Sequence, residues 1–374
     1  MLRPHRPSGV VLLCPGASLI GLVPSPRPSP IARVLGGIGD VEGAIRSDVT
    51  RKKVFSGIQP SGDIHIGNYM GALRNWVAMQ DDYDTVYCVV DLHALTLPQV
   101  PAELRDARLR TAKILLASGI DPQRSLIYYQ SEVPQHAELC WILGTLASIG
   151  HLSRMTQYKE KLDKGGQNLG LFSYPVLMAA DILVHRVHAV PVGNDQTQHL
   201  EFTRDLVDRF NSRYGEYFPR PRQITPGVGA RVMSLKEPTS KMSKSDPDAS
   251  SRILVTDDAD GIRRKIRRAV TDSGRRIVYD VARKPGISNL LDILAVFTGD
   301  SVEELADRHS ASGYGKLKEV AADAVIAGLA PVRRAYLDLD DVDVERIMNA
   351  GAVEARRRTE QTMADVRELI GLPG

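Results

Sequence analysis

The chain has 374 residues, which leaves room for two domains at roughly 100–200 residues each. Its 43% hydrophobic and 25% charged residues exclude a wholly disordered or fibrous chain, and a formal charge of +3 is too small to argue for or against nucleic acid. The three cysteines, Cys14, Cys88 and Cys140, share no CxxC spacing and cannot build a four-thiolate metal site; odd in number and far apart, they argue against a disulfide framework, so a reducing compartment is expected.

The first fifty residues differ from the rest. Met1 to Gly39 holds no Asp or Glu but four Arg and seven Pro, and Pro7, Pro15, Pro24 and Pro26 break the uncharged stretch too often for a spanning helix. A targeting peptide and an unstructured extension both fit this pattern. The extension is preferred, because a Pro-rich segment buries too little apolar surface to fold. Residues 1–50 are therefore set aside from the fold, and the expected location is cytoplasmic, or organellar if they are a transit peptide.

From there strands and helices alternate. Lys52–Ile58 is a β-favouring run closed by the turn residues Gln59-Pro60-Ser61-Gly62. Ile66, Tyr69, Met70, Leu73, Trp76 and Val77 then recur at helical spacing, predicting a helix to about Asp81. Thr85–Val90 reads as a strand buried on both faces. A helix over Ala102–Ala117 and a strand over Leu126–Gln130 follow. His136–Ile149 and Tyr174–Val184 read as helices, Val187–Val192 as a strand, and Asp195–Phe210 as a helix opened by an acidic residue. Arg231–Leu235 is strand-like. Beyond Asp246 the β signal fades, and residues 257–370 read as helices with breaks near Gly274, Gly286, Gly299, Gly313 and Pro331. Such alternation predicts a doubly wound, Rossmann-like α/β domain over residues 51–250, followed by a helical domain over 251–374.

Ligands of a parallel sheet sit outside the carboxyl ends of its strands. The first such loop, Gln59 to Asn68, has neither the GxxxxGK[ST] nor the GxGxxG spacing. It does feed a helix N-terminus, where free N–H groups favour a phosphate, and Gly67 lets a flat ring approach the backbone. Taken alone, His65 reads more readily as a capping or packing residue than as a catalytic one. A second loop, Lys241-Met242-Ser243-Lys244-Ser245, places two lysines three apart among small hydroxyl residues, which suits polyphosphate, although a solvated basic loop fits KxxK as well.

HIGN after the first strand and KMSKS at the end of the α/β region, in that order, resemble the HIGH and KMSKS signatures of class I aminoacyl-tRNA synthetases. Phe55-Ser56-Gly57-Ile58-Gln59-Pro60-Ser61-Gly62, Ile66-Gly67-Asn68-Tyr69, Val90-Asp91-Leu92-His93-Ala94, Gln130-Ser131-Glu132-Val133-Pro134, Met178-Ala179-Ala180-Asp181-Ile182-Leu183 and Pro191-Val192-Gly193-Asn194-Asp195-Gln196 narrow the resemblance to the tryptophanyl-tRNA synthetases, over about residues 52–370. Asn68 departs from the general class signature, which ends in a second His; the substitution is usual in this branch, and the amide still donates a hydrogen bond.

The resemblance implies tryptophan activation by ATP and transfer to tRNA(Trp), with Mg2+ carried by ATP and no tightly bound cofactor. Gln59, Pro60, Ser61, Gly67 and Asn68 are implied to cradle ATP, with Gly193, Asn194 and Asp195 at the ribose and Val232 at the adenine edge. His65, Lys241 and Lys244 are implied to be catalytic, and the loop Lys241, Met242, Ser243, Lys244 and Ser245 is implied to bind ATP. Asp181 is implied to accept the indole N–H; from pattern alone it reads equally as a helix-surface Asp. Phe55 and Met178 are implied to wall the ring, Tyr174 and Gln196 to bind the α-amino group, and His93 to join the pocket.

The helical domain, implied to bind the tRNA anticodon with its last helix packing back, carries 20 Lys and Arg against 21 Asp and Glu. Only the local runs Arg263-Arg264-Lys265, Arg267-Arg268 and Arg356-Arg357-Arg358 are dense enough for phosphates, and such runs are commonly solvated helix faces. Relatives imply a homodimer, and no membrane partner is expected. Tyrosine activation on the same fold, a small nucleotidyltransferase, and a non-enzymatic paralogue are the rivals. The presence of His65, Asp181, Lys241 and Lys244 weighs against the last.

Overall fold

The computed structural model describes residues 51–155, 168–193, 196–224, 232–244 and 246–374. Strand β1 (Lys53–Ile58) opens the fold and pairs in parallel along its whole length with β2 (Asp84–Val89). Between them runs α1, residues 66–79, the predicted helix, which contains one π-helical turn over Tyr69–Leu73. Its apolar face lies on the sheet, and the Tyr87 hydroxyl on β2 donates to the Trp76 carbonyl at 2.6 Å. The short α2 (Asp91–Ala94) and then α3 (Pro101–Ala117) lead to β3 (Ser125–Tyr129), parallel to β2. Strands β2 and β3 are buried on both faces, which is why, past Asp84-Thr85 and Ser125, each reads as an apolar and aromatic run.

Two helices, α4 (Gln135–Gly144) and α5 (Ile149–Leu152), replace the single helix expected over His136–Ile149. The first ends at Gly144 with Thr145 as its C-cap, whose hydroxyl donates to the Ile142 carbonyl at 2.8 Å. Helix α6 (Leu169–Val184) precedes β4 (Ala189–Pro191), and α7 (Thr197–Tyr214) precedes β5 (Arg222–Ile224). The strand order is β3-β2-β1-β4-β5, all parallel, so the winding reverses between β1 and β4. That reversal opens the crevice in which such sheets bind ligands. The strand-like Arg231–Leu235 does not join the sheet: Arg231 lies outside the described residues, and Met233 makes an isolated antiparallel bridge to Lys241. The fifth strand is instead the short, partly exposed β5, whose polar sequence carries little strand signal.

Helices α8 (Ala259–Arg267), α9 (Pro285–Thr298), α10 (Val302–His309), α11 (Gly313–Asp338) and α12 (Asp341–Leu369) complete the chain. Of the expected breaks only the one at Pro331 is absent, and the break near Gly286 falls just before it, where α9 begins. Gly286 lies in the first turn of α9, where a Cβ would overlap the Val270 carbonyl oxygen. Pro331 lies within α11 on its exposed side, where burial of Val325, Leu329, Val332 and Ala335 outweighs the roughly 3 kcal/mol that an interior proline costs. Among the described residues no helix is long and apolar enough to cross a membrane.

The last helix binds the parts together. Val344 and Met348 on α12 join the core shared with α3, α9 and α11, whereas Ala352, Ala355, Met363 and Val366 join the core on the α4, α6 and α7 side. The crossover is at Gly351, whose missing side chain lets α12 rest on the Ile127 carbonyl of edge strand β3. Arg367 then forks onto the Glu138 carboxylate at 2.7 and 2.8 Å.

Candidate active site

The loop leaving β1 at the point of reversal runs from Gln59 to Asn68. His65 is its pivot, 3% exposed and the N-cap of α1. Its Nδ1 accepts from the Gly67 N–H at 3.1 Å, while the Asn68 Oδ1 accepts from the His65 N–H at 3.3 Å, a reciprocal capping pair. Capping is thus part of the role of His65, and it has a chemical consequence. With Nδ1 used as an acceptor, the ring proton sits on Nε2, and the Asn68 amide N–H2 is left to donate. Burial, followed by the charges of Lys244, Arg252 and Lys241, holds the imidazole down at about 4, so it is a neutral donor near pH 7.

The lysine loop closes on this pivot. Backbone bonds from Ile66 N–H to the Ile253 carbonyl (2.9 Å) and from Val255 N–H to the Ile64 carbonyl (3.0 Å) fasten residues 253–255 to the HIGN turn. Residues 232–234 and 240–242 pair as a narrow turn, with Ser234 N–H to Ser240 O at 2.9 Å and Met242 N–H to Val232 O at 3.2 Å. Val232 therefore sits against Gly67, and the left-handed Gly62 (φ 66°) against Lys244. Burial pulls the Lys244 ammonium down to about 8, with Asp63 opposing the shift. Lys241 and Ser243 are exposed and Met242 is buried, so the two lysines reach one region from different depths. Pro60 is buried, Gln59 half-buried and Ser61 exposed, around the same turn. Gly193 is exposed just beyond β4; Asn194, Asp195 and Ser245 lie outside the described residues. The helix expected from Asp195 begins at Thr197, with Gln196 at its N-cap.

A second constellation is built on α6. Tyr174, Met178 and Asp181 recur at helical spacing and share a face. Asp181 is 1% exposed, so it is an interior carboxylate rather than a surface one. Its Oδ1 accepts from Gln130 Nε2 at 2.6 Å and His136 Nδ1 at 2.7 Å, and its Oδ2 accepts from His93 Nε2 at 2.8 Å. Burial by itself pushes the acid up, but the bonds from His136 and His93 outweigh it and hold the carboxyl at about 2. The Tyr174 hydroxyl bonds His199 Nε2 at 2.7 Å, and its ring meets His93 edge-on at 6.4 Å. Phe55 on β1 is 4% exposed and stacks on His185 at 5.9 Å. Met178 and Gln196 are half-buried.

Sequence reasoning missed Gln130 and His136 on Asp181, His199 on Tyr174, and Asp63 and Arg252 beside the lysine loop. A buried carboxylate demands donors, and Gln130, the first residue after β3, was findable on that ground. His136 was not, because only the packing of α4 on α6 brings it there.

A parallel sheet wound in this order, with a histidine-capped loop under a lysine-bearing turn, is the arrangement of a class I aminoacyl-tRNA synthetase. The model of tRNA synthetases class I (W and Y) matches residues 48–330, and the chain belongs to that family. It is 51% identical over 323 residues to a tryptophan–tRNA ligase of Caldanaerobacter subterraneus subsp. tengcongensis, covering 86% of this chain and 98% of that one. The tryptophanyl-tRNA synthetase of Mycoplasma pneumoniae is similar in structure, with a TM-score of 0.77 at 32% identity over 86% of this chain and 98% of that one. That of Campylobacter jejuni, complexed with ADP and tryptophan, has a TM-score of 0.76 at 35% identity over 86% of this chain and all of that one.

Proposed function

We propose that this protein is a tryptophan–tRNA ligase that joins L-tryptophan to tRNA(Trp) at the expense of ATP. The observation that carries the reading is the meeting of the HIGN turn with the Lys241–Lys244 turn at the sheet's point of reversal, in a fold that also buries the ionised Asp181 on α6. The identity with the Caldanaerobacter enzyme supports tryptophan as the amino acid.

In the first step the tryptophan carboxylate oxygen bonds the α-phosphorus of ATP, the bond from that phosphorus to the bridging β-phosphate oxygen breaks, and pyrophosphate leaves. The ribose hydroxyl at the tRNA 3' end then attacks the acyl carbon and AMP departs. Both nucleophiles belong to substrates, so the protein's work is positioning and charge stabilisation. Gln59, Pro60, Ser61, Gly67 and Asn68 hold ATP, Val232 meets the adenine edge, and Gly193, Asn194 and Asp195 hold the ribose. The neutral His65 donates Nε2–H to a phosphate oxygen, and Lys241 and Lys244 take the charge that grows on the leaving pyrophosphate, with Mg2+ brought in on ATP. Met242, Ser243 and Ser245 shape that turn.

Asp181 accepts the indole N–H, and a side chain without that donor leaves the acid's acceptor unfilled. Phe55, Met178 and His93 bound the ring, and Tyr174 and Gln196 face the α-amino group. Residues 251–374 form the tRNA-binding part, in a homodimer. Pyrophosphate exchange into ATP, run with tryptophan, tyrosine and phenylalanine in parallel, tests the reading. Exchange with tryptophan alone is expected; exchange with tyrosine alone overturns the substrate, and no exchange by folded protein overturns the activity.

A further inference from the structure

Beneath Asp181 lies a buried chain of side chains that the activation chemistry does not use. His136 Nε2 meets the Tyr128 hydroxyl at 2.8 Å, and the same hydroxyl meets His185 Nε2 at 2.6 Å. All three residues are buried; the two imidazole rings stand edge to face at 5.8 Å, and Phe55 stacks on the far side of His185. Tyr128 is on β3, His136 on α4 and His185 just after α6, so three separate elements are tied to one carboxylate.

The arrangement determines which way Asp181 can still accept. A carboxylate is an acceptor only, with two lone-pair directions on each oxygen. Gln130 and His136 fill both directions of Oδ1, and His93 fills one direction of Oδ2. A single acceptor direction remains, on Oδ2. It stays single only while His136 presents Nδ1–H, and the Tyr128 hydroxyl secures this. A carboxylate cannot donate, so Nδ1 must carry the proton; Nε2 then accepts from the Tyr128 hydroxyl, which in turn accepts from His185 Nε2–H.

We infer that His136, held in place by Tyr128 and His185, is a positioning residue for tryptophan, saturating one oxygen of Asp181 so that the indole N–H enters at the other. The inference rests on the reading of Asp181 as the indole acceptor, and its test separates the two.

The probe is the ratio of kcat/KM for tryptophan to that for β-(3-benzothienyl)alanine, in which sulfur replaces the indole N–H, read by pyrophosphate exchange. Asp181→Asn tests the underlying reading and is expected to collapse the ratio. Tyr128→Phe is expected to lower the ratio about tenfold through KM for tryptophan, the effect of one misplaced hydrogen bond to a charged group. KM for ATP and the constants for the sulfur analogue stay within about twofold, which a general packing defect would not allow. His136→Asn, whose amide N–H stands in for Nδ1–H, is expected to restore the ratio in the Tyr128→Phe background, and His136→Leu to lose it.

A ratio kept by Tyr128→Phe and His136→Leu, while Asp181→Asn lowers it, overturns the inference alone. A ratio kept by Asp181→Asn overturns the reading beneath it, and equal losses on both substrates leave only a packing role. Should the Tyr128 and His136 variants not fold, the wild type decides by 15N NMR. A His136 Nδ1–H signal, downfield and slow to exchange, is expected, and a bare Nδ1 overturns the inference.

Discussion

The Lys244 ammonium carries a sharp expectation because its environment conflicts with its task. Burial beneath the Gly62 turn pulls its pKa to about 8, with only Asp63 opposing the shift. In the free enzyme about nine-tenths of Lys244 is charged at pH 7 and about one-tenth at pH 9, since a tenfold change in the ratio accompanies each unit. Below pH 8 folding bears the burden of that buried charge, and the burden is relieved as pH rises from about 8 toward the ordinary lysine value. On the proposed role, ATP places phosphate oxygens against the ammonium and reverses the preference. Measured with saturating tryptophan, kcat/KM for ATP in pyrophosphate exchange is therefore expected to fall about tenfold between pH 7 and pH 9. Calorimetry at pH 8.5 in buffers of differing ionisation enthalpy is expected to register proton uptake on ATP binding. Lys244→Arg, charged throughout this range, is expected to flatten the alkaline limb whatever its absolute rate. A profile flat to pH 9.5 in the wild type, or a limb that persists unchanged in Lys244→Arg, refutes the reasoning.

His65→Asn should keep the helix cap but lose the Nε2–H donor, lowering kcat for exchange by about 10²-fold with little change in thermal midpoint; an equal fall in both would make His65 a cap alone. Because its imidazole is already neutral above about pH 4, the wild-type kcat should show no His65 limb between pH 6 and 7, which a pH–rate profile checks. Gly351→Ala forces a methyl group into the Ile127 carbonyl where α12 crosses β3, and should destabilise by about 3 kcal/mol, read by urea denaturation. Asp181→Ala leaves the donors of His93, Gln130 and His136 facing an apolar methyl, and a loss of about 3–5 kcal/mol in the same assay is expected; a loss under about 1 kcal/mol would mean that water replaces the carboxylate.

The α/β architecture was legible in the sequence because a parallel strand buried on both faces reads as a continuous β-branched, apolar and aromatic run, and Thr85–Val90 is one. The two loops proposed to hold ATP were legible because Gln59–Asn68 and Lys241–Ser245 hold their residue types at fixed, local spacing. Elements set by longer-range contacts were not. Strand β5 has no apolar run and exists because β4 offers it an edge, and α11 runs through Pro331 because its buried face outweighs one lost hydrogen bond.

Around the reactive groups the division has the same cause. The sequence by itself determined that Asp181, His65 and the two lysines are present, and in which order. Only the tertiary structure decided their chemical state. It drew Gln130, His93 and His136 from three elements onto one carboxylate and held it ionised, and it buried His65 beside Lys244, Arg252 and Lys241, which keeps the imidazole neutral while the local cap on Nδ1 leaves Nε2–H to donate. A pKa is a property of the surroundings in space, and neighbours tens of residues apart in the chain set it.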